Sequence, residues 1–160
     1  MKFYHLTEKP YSKFTTRLVG IGIKPIGLWL APKGVWEEFI KYEFLEDHFK
    51  YKYMYEFDID MKKLIIVKTY EDIKKINDMY GLKVKSKLFS KYKYMNKYKN
   101  YFVDWTRLQR DSGKAGFYVK NALIKQARDE FMWYYGFDVE SMSIWNNDAI
   151  KSFRLYKTLA

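Results

Sequence analysis

Residues 49–59 constrain the fold of this chain more than any other stretch. Phe49, Tyr51, Tyr53, Tyr55, Phe57 and Ile59 alternate with Lys50, Lys52, Met54, Glu56 and Asp58. Side chains of a strand point to opposite faces with a period of two, so this is a strand with one aromatic face. Asp60, Met61 and Lys62 supply a turn, and residues 64–67 (Leu-Ile-Ile-Val) read as a buried strand. Together they predict an antiparallel hairpin over 49–67.

Weaker signals surround it. Residues 2–7 read as a strand broken by Glu8, Lys9 and Pro10, and residues 11–25 as a loop carrying Gly20, Gly22 and Pro25. Residues 26–31 make another strand, closed by Pro32. Residues 35–42 have helical spacing, with Trp36, Phe39 and Ile40 on one face. Thr69 caps a helix with acids in its first turn, ending near Gly81. Residues 104–108 predict a short helix and 115–119 a strand, while 120–130 read as either a helix or a long loop. Residues 133–137 and 141–145 are the last strands expected. Short strands mixed with helices, without a regular βα repeat, define an α+β chain of one domain over 1–160.

Residues 82–99 differ in character, with seven lysines, no acid and interleaved Tyr92, Tyr94 and Tyr98. The segment reads as an exposed, mobile insertion. Its ammonium groups suit phosphates and its rings suit unpaired bases. Lys91, Tyr92, Lys93, Tyr94, Lys97, Tyr98 and Lys99 are the candidate nucleic-acid contacts, and Arg107, Arg110, Lys114 and Lys120 would extend the same surface. The formal net charge of +11 favours a polyanionic partner, nucleic acid first and an acidic ligand such as a dinucleotide second. A plain Lys-rich solvated surface is the competing explanation.

Cysteine is absent, which excludes disulfides, zinc–thiolate sites and thiol nucleophiles. With two histidines in the chain, a rich transition-metal site is not expected. Dinucleotide-binding Gly-x-Gly-x-x-Gly, Walker A and Gly-x-Ser-x-Gly motifs are missing. Lys2 is followed by only a few apolar residues, so no secretory leader is expected, and no apolar run approaches a membrane span. A cytoplasmic location is expected, inside a host cell if the source is viral. The acids Glu37, Glu38, Glu43, Glu46 and Asp47 read as the solvated face of a helix. His5 stands inside the first strand.

Several short pieces carry a resemblance. They are Tyr4-His5-Leu6-Thr7, Lys24-Pro25-Ile26-Gly27-Leu28-Trp29-Leu30-Ala31, Asp104-Trp105, and residues 133–146 (Trp-Tyr-Tyr-Gly-Phe-Asp-Val-Glu-Ser-Met-Ser-Ile-Trp-Asn). In this order they resemble a phage and bacterial group associated with the ADP-ribosyltransferase fold, especially toxins and phage enzymes that modify nucleic acid. The pattern departs at Phe137 for Trp, Met142 for Gly and Ser143 for Cys, and a bulky Met142 would narrow a ligand cleft.

The resemblance implies a small split sheet with flanking helices, NAD as co-substrate, a nucleic-acid or protein acceptor, and an antitoxin or host protein as a further partner. By the same resemblance Glu140 and His5 are the catalytic candidates. His5, Thr7, Trp29, Tyr4 and Trp145 form the cofactor-binding set, in which His5 and Thr7 hold the nicotinamide ribose and Trp29 or a tyrosine walls the nicotinamide. A non-catalytic basic binder on the same scaffold is the alternative.

Overall fold

A computed structural model describes residues 1–11, 20–42, 50–83 and 100–159. The chain is α+β, as its sequence predicts. Strand β1 (Lys2–Thr7) and strand β4 (Tyr53–Ile59) pair antiparallel, with Tyr4 opposite Glu56 and His5 opposite Tyr55. The other edge of β4 pairs antiparallel with β10 (Ile150–Thr158), which places Arg154 opposite Glu56. A second sheet has the order β3-β9-β8-β5, from Leu28–Leu30, Ser141–Ile144, Gly116–Val119 and Leu64–Val67. A third, smaller one joins β2 (Ile21–Gly22), β7 (Phe102–Asp104) and β6 (Gly81–Leu82).

The alternation over β4 is real, but the partner is not the one expected. Strands β4 and β5 do not form a hairpin: β4 is the central strand of the first sheet, whereas β5 pairs parallel with β8 in the second. The 3₁₀ turn Met61–Lys63 between them carries the chain from one sheet to the other. Both faces of β4 are therefore covered. Tyr55, Phe57 and Ile59 join Phe3, Leu30, Tyr118, Met142 and Ile144 in the core between the sheets. Met54, on the other face, packs with Tyr4, Leu6, Trp36 and Ile40.

The two sheets meet at one isolated antiparallel bridge. Tyr4 N–H donates to the Ala31 carbonyl at 2.8 Å, and Ala31 N–H to the Tyr4 carbonyl at 3.1 Å. Next along β1, the His5 side chain meets β3: its Nδ1 lies 2.7 Å from the Trp29 carbonyl. That contact places the imidazole proton on Nδ1, because a carbonyl can only accept.

Helix α1 (Val35–Tyr42) lays Trp36 and Ile40 over this junction. Helix α2 (Tyr70–Tyr80) opens with a capping box, Asp72 N–H donating to Thr69 Oγ1 at 3.2 Å and Thr69 N–H to Asp72 Oδ2 at 3.0 Å. Gly81 follows it in an extended, negative-φ conformation, so left-handed geometry is not why glycine stands there. A Cβ at that position would fall 2.4 Å from both the Asn100 amide nitrogen and the Asn77 carbonyl.

Helices α3 (Trp105–Ser112), α4 (Lys125–Glu130) and α5 (Met132–Tyr135) follow, and a 3₁₀ turn Asn147–Ala149 leads into β10. Residues 133–137, expected as a strand, are helical through Tyr135. The aromatic run mimics strand propensity, but Trp133, Tyr134 and Phe137 converge on one buried cluster, the spacing of a helical turn. Strand β10 was not foreseen. It is an edge strand, largely exposed, and register shifts after Ile150 and Leu155 blur its alternation.

The second core is aromatic. Trp105 packs edge-on against Phe117 and Trp133, with centroids 5.0 and 5.7 Å away. Trp133 Nε1 donates to Asn77 Oδ1 at 3.1 Å, and Asn100 Nδ2 donates to the same oxygen at 3.0 Å. Asn77 is only 3% exposed, so its amide is a buried polar hub made tolerable by these bonds. No described helix is long and apolar enough to cross a membrane.

Candidate functional site

The β1–β3 junction forms the floor of a cavity of about 150 Å³ lined by His5, Leu6, Trp29, Trp36, Phe39, Ile40 and Tyr51. His5 and Trp29 reach it because they stand on the two strands that meet at the bridge, and α1 closes it from above. Lys24 reinforces the indole from behind. Its ammonium lies 5.6 Å from the Trp29 ring centroid and 5.5 Å from that of Phe137. The Trp29 and Phe137 rings desolvate the ammonium and lower the Lys24 pKa from the ordinary lysine value, although the residue as a whole is exposed, and the nearby Asp138 charge opposes that shift.

A larger cavity of about 760 Å³ stands beside the first. Phe39 lines both, so its ring is their common wall. The larger space is bounded by α1 and by the connections after β8 and before β9. Its charged lining is mixed: Glu38, Asp138 and Glu140 against Lys120 and Arg128. Arg128 is held in place by Nη1 bonds to the Ala122 and Phe137 carbonyls at 3.2 and 2.9 Å, and its guanidinium lies 4.2 Å from the Tyr135 ring centroid. Glu140, half-buried, accepts a hydrogen bond from the Tyr118 hydroxyl through Oε1.

Small-molecule sites in proteins typically occupy roughly 300–1,000 Å³. The smaller cavity falls below that range and fits a single ring; the larger falls within it.

Three sequence candidates thus border the paired cavities: His5 and Trp29 in one, Glu140 in the other. Three do not line them. Tyr4 packs with Leu6, Trp36 and Ile40 but lines neither cavity, and its hydroxyl donates to Glu56 Oε2 at 2.9 Å; burial and this bond raise the phenol pKa to about 12. Thr7 is buried and its Oγ1 donates to the Lys9 carbonyl at 2.7 Å. Trp145 is 1% exposed in the aromatic core, with Nε1 donating to the Lys114 carbonyl at 2.7 Å.

The departures from the motif lie away from the cavities as well. Met142 is fully buried between the sheets and narrows no cleft. Ser143 is also fully buried, and its Oγ is a buried side-chain oxygen without a hydrogen-bond partner. Phe137 fills the core beside Trp29, centroids 5.9 Å apart.

Sequence reasoning missed Phe39, Tyr118 and Arg128 as parts of this site, and it offered Lys120, which borders the larger cavity, only as an extension of the basic nucleic-acid surface. Phe39 was legible as a member of the apolar face of α1, but not as a partition. Lys91, Tyr92, Lys93, Tyr94, Lys97, Tyr98 and Lys99 lie outside the described residues. Of the extended basic surface, Arg107 and Arg110 are paired with Asp111 at 3.7 and 3.3 Å, and Lys114 Nζ donates to the Lys62 carbonyl at 2.9 Å. Among the described residues no cluster of His, Asp and Glu is arranged to hold a metal ion.

Comparison with known protein families, with curated proteins and with solved structures finds no match for this chain.

Proposed function

We propose that this chain is an NAD-dependent mono-ADP-ribosyltransferase whose acceptor is a nucleic acid or, less in keeping with its charge, a protein. One observation carries the reading: His5 and Trp29 share an aromatic cavity that adjoins, across Phe39, the cavity bordered by Glu140. The nicotinamide ring stacks against Trp29 in the smaller space. The His5 imidazole, anchored through Nδ1 on the Trp29 carbonyl, contacts the adjoining ribose. The diphosphate and adenosine extend past Phe39 toward Lys120 and Arg128.

The bond between the ribose anomeric carbon and the nicotinamide nitrogen breaks, and its electron pair leaves with nicotinamide. The sugar carbon gains oxocarbenium character, as in glycoside cleavage. An acceptor oxygen or nitrogen attacks that carbon and passes its proton to the Glu140 carboxylate, the general base. Incubating the pure protein with labelled NAD and host nucleic acid tests this by mass spectrometry. Transfer or NAD hydrolysis that disappears in Glu140→Gln supports the reading; no turnover and no NAD binding overturn it.

The net charge of +11 favours a second reading, a non-catalytic binder of nucleic acid. In that case His5→Ala leaves binding intact, whereas deleting residues 83–99 abolishes it.

A further inference from the structure

The part of the site that the motif does not account for is the phenol behind Glu140. Tyr118 stands on β8 opposite Met142 of β9, with Val119 opposite Ser141. Glu140 is therefore the diagonal neighbour of Tyr118 across the ladder, some 7–8 Å away at the Cα, a distance a tyrosine side chain spans. Tyr118 is 2% exposed, and its ring packs edge-on against Phe3 with centroids 5.5 Å apart. The ring cannot swing out without opening the core between the sheets. Its hydroxyl donates to Glu140 Oε1, while no hydrogen bond reaches Oε2 from the described residues.

We infer that Tyr118 is the positioning residue for Glu140: a clamped phenol that ties down one carboxylate oxygen and leaves the other to meet the ligand in the larger cavity. The inference deepens the transferase reading and rests on it for the identity of the ligand. A carboxylate on the connection before β9 has free rotamers, and general-base action needs one of them. Backbone support on the same connection comes from Ser141 Oγ, which donates to the Val139 carbonyl at 3.0 Å. Burial and the Glu140 carboxylate both raise the Tyr118 pKa, so the phenol stays a donor through the neutral range. Without it, Glu140 would be free to turn toward Lys120 or Arg128, the cations bordering the same space.

The test is a mutant cycle on the full chain with two readouts. In NAD turnover, Tyr118→Phe lowers kcat by about 10-fold and leaves KM within about 2-fold. In the double variant Tyr118→Phe/Glu140→Gln the loss equals that of Glu140→Gln alone. In proton NMR, the Tyr118 hydroxyl gives a slowly exchanging downfield resonance, absent in Tyr118→Phe and lost in Glu140→Ala. Unchanged kcat in Tyr118→Phe, additive losses in the cycle, or a hydroxyl resonance indifferent to Glu140→Ala overturns the inference. If the wild-type protein turns over no NAD, the transferase reading fails by itself, and the hydroxyl resonance still decides whether Tyr118 holds Glu140.

Discussion

The tryptophans divide into two groups that do different work. Trp105, Trp133 and Trp145 are at most 1% exposed, and each indole N–H is bonded: to the Gly22 carbonyl, to Asn77 Oδ1 and to the Lys114 carbonyl. Trp29 and Trp36 are half-buried and border the smaller cavity. Trp36 Nε1 donates to the Tyr4 carbonyl at 3.0 Å, which ties α1 to the β1–β3 junction. Trp29 Nε1 makes no hydrogen bond with the described residues; its ring is braced by Phe137 and Lys24 instead. A buried indole with its donor satisfied is a finished piece of core. An indole with one face on a cavity and a donor to spare is a surface kept for something else.

Substitutions test that division most strongly in the core. Trp133→Ala removes a fully buried ring and takes one of the two donors from Asn77 Oδ1, and we expect a loss of about 3–5 kcal/mol in urea unfolding. Trp29→Ala, half-buried beside existing space, should cost about 1–2 kcal/mol. Equal costs would break the comparison. Asn77→Ala leaves the Trp133 N–H without its acceptor and should cost about 2 kcal/mol in the same assay.

A third test concerns Glu56, which faces neither cavity. The residue is 7% exposed, and its carboxylate accepts from Arg154 Nε at 3.0 Å and from the Tyr4 hydroxyl. The Arg154 bond first, then the Tyr4 bond, hold its pKa below the usual carboxylate range. A depressed folded-state pKa contributes stability above the unfolded value, lost as pH falls through the folded one. Thermal melts should therefore show the wild type losing stability below about pH 4.5, and Glu56→Gln losing less over that window. Tyr4→Phe should cost about 1–2 kcal/mol at neutral pH, with ligand binding intact because the hydroxyl it removes is bonded to Glu56, which lines neither cavity.

The smallest effect has the opposite sign. Ser143 Oγ is buried without a partner, so Ser143→Ala should be neutral or stabilising by about 1 kcal/mol in urea unfolding. A clear loss there would mean that the hydroxyl is bonded in solution.

Local signals were legible where period and capping agree. The face of β4, the capping box of Thr69 and the apolar face of α1 could all be read directly from spacing. Pairing was not, because alternation says which side of a strand is apolar and nothing about its neighbour. Adjacency in sequence therefore suggests a hairpin of β4 with β5, although the partners of β4 are β1 and the distant β10. Strand β10 escaped notice because an exposed, bulged edge needs no clean apolar pattern. The helix at residues 132–135 was hidden by aromatic composition, which favours strands on average and here serves a helical turn.

The site was legible in part for the same reason. His5, Trp29 and Glu140 were singled out by position within motifs, and the folded chain gives them adjoining cavities. Tyr4 and Thr7 share the first strand with His5, but their hydroxyls are bonded to groups outside the cavities. Tyr118 carries no local signal, since its role comes from a diagonal contact across a ladder between strands more than twenty residues apart in sequence.

Calorimetric titration with NAD decides whether the two cavities flanking Phe39 act as one groove. Saturable binding to the wild-type protein is expected, lost in Trp29→Ala and His5→Ala while both variants still unfold cooperatively. Absence of binding to the wild type, or binding unchanged in both variants, would contradict it.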